Sequence, residues 1–586
     1  MAIADAGLVR RAPVSVIVRE SRRVRVAVPF FRGGSLVKRW IPILGALFVC
    51  RLLFGLSSEF FFEDDTQIFL LGLRYHATGG WPFFGPDVVW TRSEIPGALQ
   101  ALLVGVPLDI VPIPESPFVL LSVLSFTALA ALAWYTCEHL PRAPRWLIWG
   151  WFLTMPWTLQ FSNHPINTSY ILPAAIVFFL GFFETVPALS LRRIPAPMGH
   201  ALMGGALTWM TQIHMSWPLL LPYLLAAWWS RRSDGRRVLG INLAACVTGA
   251  LVPGLLLLPT LISYGVRAGS GGVVRNVHVH WVNPWILVTT LARFLSFASL
   301  EITRFIATDG AKRLEFFGRH LWLAPAAILV GIAGLVQPVW MCVDGARPAG
   351  QWPAAMPASR WRTLRRLVAA TVLLVYVSYW FVIEPPQAHA FYTLAPIAFV
   401  FAAFWWTFVD SPRARRIAAG VLALNVCYHG GLAWARAPEI SLYNNRAPVA
   451  TAVRLKAPEM FGHRRAFAID GGPAVLQDPA RPYDPTRDIE VAGATYRAGP
   501  GGSLHWTITL RNRSTVVAFR DVLYVTTYMD DRDTVVDERH EWIKDIFQPG
   551  ASRTIELNDG FAGPSFANAG LRIAAAEALV PAPVLP

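Results

Sequence analysis

Apolar stretches of near 20 residues recur from Ile41 to Trp434, separated by short polar segments. Each is long enough to cross the roughly 30 Å hydrocarbon core of a bilayer as a helix. Eleven spans are predicted, at about 41–56, 117–136, 146–161, 168–187, 199–213, 216–229, 238–262, 321–342, 367–383, 391–409 and 417–434. The stretch 199–229 divides into two spans only if the chain turns back near His214-Met215-Ser216-Trp217-Pro218; one long tilted helix is the competing reading. After Trp434 the apolar runs stop. Residues 435–487 hold proline-rich turns and a predicted helix near Val449–Met460, and from Asp488 the pattern changes to alternation. Ser503–Leu510, Val516–Phe519, Val522–Thr527 and Ser552–Leu557 read as strands, divided by Asn512-Arg513-Ser514, Asp530-Asp531 and Pro549-Gly550. Short alternating strands between turn residues predict an antiparallel β-sandwich of immunoglobulin-like type, a fold that assigns no activity by itself.

Composition agrees with a membrane location. The 586 residues are 54% hydrophobic and 15% charged, with a mean hydropathy of +0.42. A soluble protein of this length does not need so much apolar surface. Trp228-Trp229 and Trp405-Trp406 fit the aromatic belts of a membrane interface, or ordinary helix packing. The five cysteines, Cys50, Cys137, Cys246, Cys342 and Cys427, lie in or at the ends of spans and form no disulfide framework or zinc motif. No cofactor or metal is expected. Residues 1–40 are basic and contain no short apolar core with a cleavage site, so the first span serves as its own export signal.

The net charge of +15 would suit nucleic acid, but its arrangement argues against that partner. Nine basic residues precede Trp40. Arg142/Arg145, Arg192/Arg193, Arg231/Arg232/Arg236/Arg237, Arg360/Arg362/Arg365/Arg366 and Arg413/Arg415/Arg416 then fall on the same side, given the hairpin in 199–229. By the positive-inside rule that side is the cytoplasm. The exterior receives the 57–116 loop, the Asn163-His164-Pro165 turn, the 263–320 loop, the Glu384–Ala390 turn and the C-terminal domain. The domains are therefore a cytoplasmic segment 1–40, a membrane domain 41–434, an extracytoplasmic linker 435–487 and the β-sandwich 488–586. An Arg-, Ala- and Pro-rich composition points to a bacterial inner (plasma) membrane.

The first exterior loop opens on Glu63-Asp64-Asp65, three adjacent carboxylates that must be solvated or paired at a membrane surface. A short interfacial helix is predicted from Asp65 to Thr78, with Asp64 or Asp65 as its N-cap. The apolar but Pro- and Gly-broken segment from Ile95 to Leu108 reads as an interfacial or re-entrant helix rather than a crossing. Long ordered loops of this kind often carry function. In the 263–320 loop, His278 and His280 would point the same way in a strand, as metal ligands can, but no acidic or Cys ligand stands near them; Pro284–Ile306 reads as an amphipathic helix.

A basic N-terminus, one span, a loop opening with an acidic pair and interfacial helices, and then a bundle of often short spans resembles the GT-C glycosyltransferases. The branch it is similar to includes protein O-mannosyltransferases and the aminoarabinose transferase of lipid A, whose first loop carries an Asp-Glu pair. Here the matching stretch is Asp64-Asp65-Thr66-Gln67, with Asp in the second place, and the Pro-rich turn Glu384–Tyr392 is a further point of likeness. The resemblance implies inverting transfer of a sugar from a polyprenyl-phosphate carrier to a lipid, glycan or protein acceptor at the exterior face, with Asp64 as the base. That chemistry is sound: a carboxylate can remove the acceptor proton as the bond forms, and the phosphate leaves as an anion needing cationic support. Arg74 and Arg92 are candidate phosphate partners, or else partners of the acidic cluster. His164, His214, His389 and Tyr392 recur at exterior turns as candidate substrate-binding residues, each also readable as structural. Two other classes remain: a transporter or flippase of a lipid-linked or envelope substrate, and a non-catalytic envelope-assembly protein. Against transport, no internal repeat is visible, and the intramembrane charges Arg51 and Glu184 lie near span ends, from which they are expected to snorkel.

Overall fold

The computed structural model describes residues 34–57, 63–88, 93–113, 115–266, 279–296, 310–345, 357–381, 389–440, 488–498, 504–514, 517–532, 534–558 and 566–579. The chain divides into Met1–Leu47 and Phe48–Pro586, and the division falls inside the first helix.

The helices are α1 (Gly34–Ser57), α2 (Glu63–Thr78), α3 (Leu99–Ile110), α4 (Ser116–His139), α5 (Arg145–Thr154), α6 (Pro156–Gln160), α7 (Ile171–Thr185), α8 (Ala196–Thr211), α9 (Leu221–Ser230) and α10 (Arg236–Tyr264), followed by α11 (Trp285–Ser296), α12 (Gly310–Arg319), α13 (Ala324–Gly345), α14 (Ala358–Ser378), α15 (His389–Trp405) and α16 (Pro412–Ile440). Among the described residues seven helical segments are long and apolar enough to cross a membrane: 116–139, 167–185, 236–264, 321–343, 359–381, 391–408 and 412–437. The other four predicted spans are shorter or broken, so helix length does not establish eleven crossings. Ile41–Ser57 is a shorter apolar helix. The span predicted at 146–161 breaks into α5 and α6, because Pro156 donates no backbone N–H and holds Met155 extended at φ −67°, ψ 144°. The stretch 199–229 becomes α8, a turn at 212–216, a 3₁₀ turn Trp217–Leu220 and α9.

That stretch is a hairpin. Arg231 Nε, just past α9, donates to Thr185 O at the end of α7 (2.7 Å), and α8 leaves from the same end, where Gly181 of α7 meets Gly199. One long helix could not return there. The same end holds a set of buried and half-buried charges. Glu184, 1% exposed, accepts from Tyr135 Oη (2.5 Å) and from the backbone N–H groups of Leu191 (2.9 Å), Arg193 (2.7 Å) and Ile194 (3.1 Å). Arg193 pairs with Glu138 at 2.6 Å, and Arg145 lies 3.9 Å from the same carboxylate. The arginine clusters at 145, 193 and 231 thus share one end of the bundle. Glu184 does not snorkel: its carboxylate is enclosed by the 190–194 loop, which is organised around it.

At the far end, Gln212 Nε2 donates to Pro253 O (2.8 Å), while α10 continues to Tyr264, roughly 16 Å further at 1.5 Å per residue. The first loop packs on this extension. It consists of α2, a hairpin β1 (Phe84–Val88) and β2 (Ser93–Pro96), and α3. Thr260 Oγ1 donates to Phe83 O (2.5 Å), Ala98 N–H donates to Leu256 O (3.4 Å), and the Phe83 and Phe84 rings lie 5.3 and 4.9 Å from Tyr264. Gly97, at φ +110°, is pressed against Gln212, and a side chain there would collide with it. Helices α2 and α3 cross closely at Gly72 and Gly105: a Cβ on Gly105 would lie 2.7 Å from Gly72 O. At 12 residues α3 rises about 18 Å and is too short to cross, as its broken sequence predicts.

After α16 the described chain resumes as six strands: β3 (Ile489–Ala498), β4 (Leu504–Asn512), β5 (Ala518–Met529), β6 (Val535–Ile543), β7 (Ser552–Asn558) and β8 (Asn568–Leu579). They form two antiparallel sheets, ordered β3-β4-β7 and β6-β5-β8. Leu504, Trp506, Ile508 and Leu510 of one sheet share a core with Val522, Tyr524, Tyr528 and Ile573 of the other. Trp506 Nε1 donates to Tyr528 Oη across them (3.1 Å). Asn512, fully buried, donates through Nδ2 to Val517 O and Phe547 O and ties the connecting turns together. The helix predicted near 449–460 lies outside the described residues.

Candidate functional site

Helix α2 begins at Glu63, so Asp64 and Asp65 stand in its first turn rather than at the N-cap position expected for one of them. The N-terminal end of a helix favours negative charge, because its first N–H groups have no intrahelical acceptor. The side chains of Glu63, Asp64 and Asp65 lie outside the described residues. Helix α2 packs along α3 and touches the 3₁₀ turn Asn167–Tyr170. That turn also accepts a hydrogen bond from Trp209 Nε1 of α8, at Tyr170 O (3.1 Å). Arg74 is exposed on α2. His76, two residues on, is buried and bonds through Nδ1 to Asp109 Oδ1 of α3 at 2.8 Å, fixing α2 to α3.

Just before that 3₁₀ turn lies the densest buried polar group of the far end. Arg51 of α1 is 2% exposed. Its Nη1 donates to Leu153 O (2.5 Å) and Thr158 Oγ1 (3.3 Å), and its Nη2 to Thr158 O (2.7 Å), Ser162 Oγ (2.7 Å) and Asn163 Oδ1 (3.4 Å). The acceptors are all neutral and come from the broken α5–α6 segment and the turn after it. Pro156 opens the helix: Phe152 O, which Pro156 cannot serve, accepts from Thr158 Oγ1 (3.1 Å), and Leu153 O at the same break accepts from the guanidinium. Arg51 therefore does not snorkel; it is buried as the organiser of the turn that carries His164. Gly55, one turn further along α1, leaves room for Asn163: a Cβ there would lie 2.7 Å from Asn163 O.

His164 is buried, with its ring centroid 6.3 Å from Phe54, and His429 of α16 lies 6.4 Å from the same ring. One helical turn before His429, the Nδ2 of buried Asn425 donates to Thr154 O (2.9 Å). Tyr392 donates its hydroxyl to Trp157 O (2.9 Å) and packs edge-on against Trp157 and Phe161. Its neighbour Thr393 bonds Ser216 Oγ at 2.7 Å, and Ser216 donates its N–H to His214 Nδ1 (3.1 Å). Arg293 of α11 stands 5.2 Å from the ring of Phe391.

The fold thus gathers His164, His214 and Tyr392 around the α6 turn and the start of α15, with Arg51 bonded to Asn163 next to His164. His389 begins α15 one turn before Tyr392, with its side chain outside the described residues, as is all of Arg92. His280 is exposed and donates its N–H to Trp380 O (3.0 Å), while His278 is outside the described residues. Helix α11 occupies 285–296 of the amphipathic segment expected from 284 to 306. No group of metal-ligating side chains occurs among the described residues. Sequence reading missed Arg51 as an organiser, and also Ser216, Thr393, Asn425 and His429. The last two carried a signal: polar residues four apart on an apolar helix lie on one face. Arg51 Nε, Asn425 Oδ1 and His429 Nε2 are buried and make no hydrogen bond to the described residues. Clustered groups of that kind mark places that accept water or a polar ligand.

No protein-family profile matches the chain, and no curated protein matches it in sequence. Among solved structures the chain is similar to ArnT from Cupriavidus metallidurans in the apo state, at 10% identity and TM-score 0.37, covering 72% of this chain and 82% of that one. It is also similar to the arabinosyltransferase EmbB from Mycobacterium smegmatis, at 12% identity and TM-score 0.33, covering 92% of this chain and 63% of that one.

Proposed function

We propose that this chain is a membrane glycosyltransferase of the GT-C kind. It moves a sugar from a polyprenyl-phosphate carrier to an acceptor at the exterior face of a bacterial inner membrane, with inversion and with Asp64 as the base. One observation carries the reading: the helix that opens on Glu63-Asp64-Asp65 packs against the Asn167–Tyr170 turn, at the end of the bundle where Arg51, His164, His214 and Tyr392 gather and away from the arginine clusters. A base, hydrogen-bonding groups and apolar helices for a long lipid tail then belong to one end of the molecule.

On this reading an acceptor hydroxyl gives its proton to an Asp64 carboxylate oxygen as its own oxygen bonds the anomeric carbon. The bond from that carbon to the carrier phosphate breaks, and the electron pair leaves with the polyprenyl phosphate, which needs cationic support and no general acid. Arg74, exposed on α2, is the described residue best suited to that anion, with Arg92 as a second candidate. His164, His214, His389 and Tyr392 would orient the sugar and acceptor. The two C-terminal sheets are read as an immunoglobulin-like sandwich on the same exterior side, supporting the first loop or the acceptor.

The test is transfer of label from a polyprenyl-phosphate sugar in lipid-reconstituted protein. Asp64→Asn is expected to lower the rate by about 10²- to 10⁴-fold, the range a general base contributes. Undiminished transfer by Asp64→Asn removes the base assignment. Absence of transfer by the unaltered protein with every polyprenyl-phosphate sugar offered moves the reading to a transporter of such lipids.

A further inference from the structure

The arginine-rich end of the bundle carries a feature that glycosyl transfer does not use. Helices α9 and α10, joined by the Arg231–Arg237 turn, leave between them a groove of about 770 Å³ lined by Leu225, Trp228, Trp229, Arg232, Leu239 and Leu243. Its volume lies in the roughly 300–1,000 Å³ range of pockets that take a small molecule. Leu225 and Trp229 are 61% and 68% exposed, so the groove opens sideways, toward lipid if α10 spans the membrane as its length allows.

Two observations define what would lie in it. The groove is apolar except at one end, where the Arg232 guanidinium stands over the Trp229 ring at 4.4 Å. The turn closing that end and the start of α10 carry Arg231, Arg232, Arg236 and Arg237 against one acid, Asp234, and that acid is paired with Arg231 at 3.2 Å. A ligand with hydrocarbon chains and a negative charge at one end complements both. Basic pockets between membrane helices recognise anionic lipid head groups in this way.

We infer that the α9–α10 groove is a binding site for an anionic phospholipid of the arginine-rich leaflet, its acyl chain along Leu225, Leu239 and Leu243 and its phosphate at Arg232. The site is independent of the transfer reaction.

Native mass spectrometry of the delipidated full chain, offered phosphatidylglycerol and phosphatidylcholine with the same acyl chains, tests it. The unaltered protein is expected to keep one phosphatidylglycerol in preference to phosphatidylcholine. Arg232→Gln should reduce that preference about fivefold, the order expected for one basic residue at an anionic surface. Gly240→Phe fills the groove without touching a charge, since a Cβ at Gly240 meets nothing within 4 Å; it should remove both lipids. Arg416→Gln, a basic residue outside the groove, should change neither. Equal retention of the two lipids by the unaltered protein, or phosphatidylglycerol retained undiminished by Arg232→Gln and Gly240→Phe, overturns the assignment. So does displacement of the lipid by inorganic phosphate, which would make the site a phosphate site only.

Discussion

Arg51 and Glu184 are two buried charges handled in the same way at opposite ends of the bundle. Each is enclosed by a loop whose neutral dipoles it collects: Arg51 draws carbonyls and side-chain oxygens from 153–163, and Glu184 draws N–H groups from 191–194. A buried charge is costly unless its hydrogen bonds are made. Each loop conformation is therefore bound to the presence of its charge. Arg51→Lys keeps the charge but cannot reproduce the two-nitrogen fork that reaches five acceptors. It is expected to destabilise the protein by about 1–3 kcal/mol, the cost of leaving buried acceptors unmade, and to loosen the turn bearing His164. Unfolding of the detergent-solubilised variant by heat or denaturant measures the first effect, and proteolysis between Met155 and Ile166 the second. Sequence alone placed both charges near span ends and read them as snorkelling. The interior turn that receives Arg51 depends on Pro156 breaking one apolar run, and its partners lie more than a hundred residues away.

Among the elements, α8 is held from two sides through glycine. Gly181 of α7 meets Gly199, and on α10 Gly249 sits against the Ala201 carbonyl while Cys246 sits against Gly204. Small residues let helix backbones approach where lipid offers no hydrophobic drive to pack. Gly249→Leu is expected to force α8 and α10 apart and abolish the monodisperse protein on size exclusion. Gly240→Leu on the same helix, facing open space, should leave it intact. Long helices were legible because continuous apolar runs permit little else, as in 116–139 and 321–343. Other elements were hidden for physical reasons. Strand β6 reads Val-Val-Asp-Glu-Arg-His-Glu-Trp-Ile and is an edge strand largely exposed, so no apolar alternation marks it. Strand β8 is rich in alanine, a helix former. The β1–β2 hairpin, two residues before α3, is carried by contacts to α10 rather than by its own pattern.

For the whole molecule, the arginines at 145, 193 and 231 sharing one end agree with the alternation read from sequence, from which the positive-inside rule predicts a cytoplasmic location for that end. In a cysteine-free background, a membrane-impermeant thiol reagent applied to intact cells should label Ser552→Cys in β7 and spare Ser233→Cys between α9 and α10 until the membrane is opened. The reverse pattern would invert the topology and move the candidate site to the cytoplasm. The predicted spans also differ in length. Helix α8, at 16 residues, rises about 24 Å, and α10, at 29 residues, about 44 Å, against a hydrocarbon core of roughly 30 Å. Lying side by side, they cannot both match one bilayer thickness. A bilayer answers such hydrophobic mismatch by thinning beside the short helix and by tilt or thickening beside the long one. If α8 and α9 cross the bilayer as the sequence predicts, the lipid surface around their hairpin is expected to be drawn down toward the His214–Ser216 turn. A head group entering from that side would then start several ångströms deeper than in flat membrane.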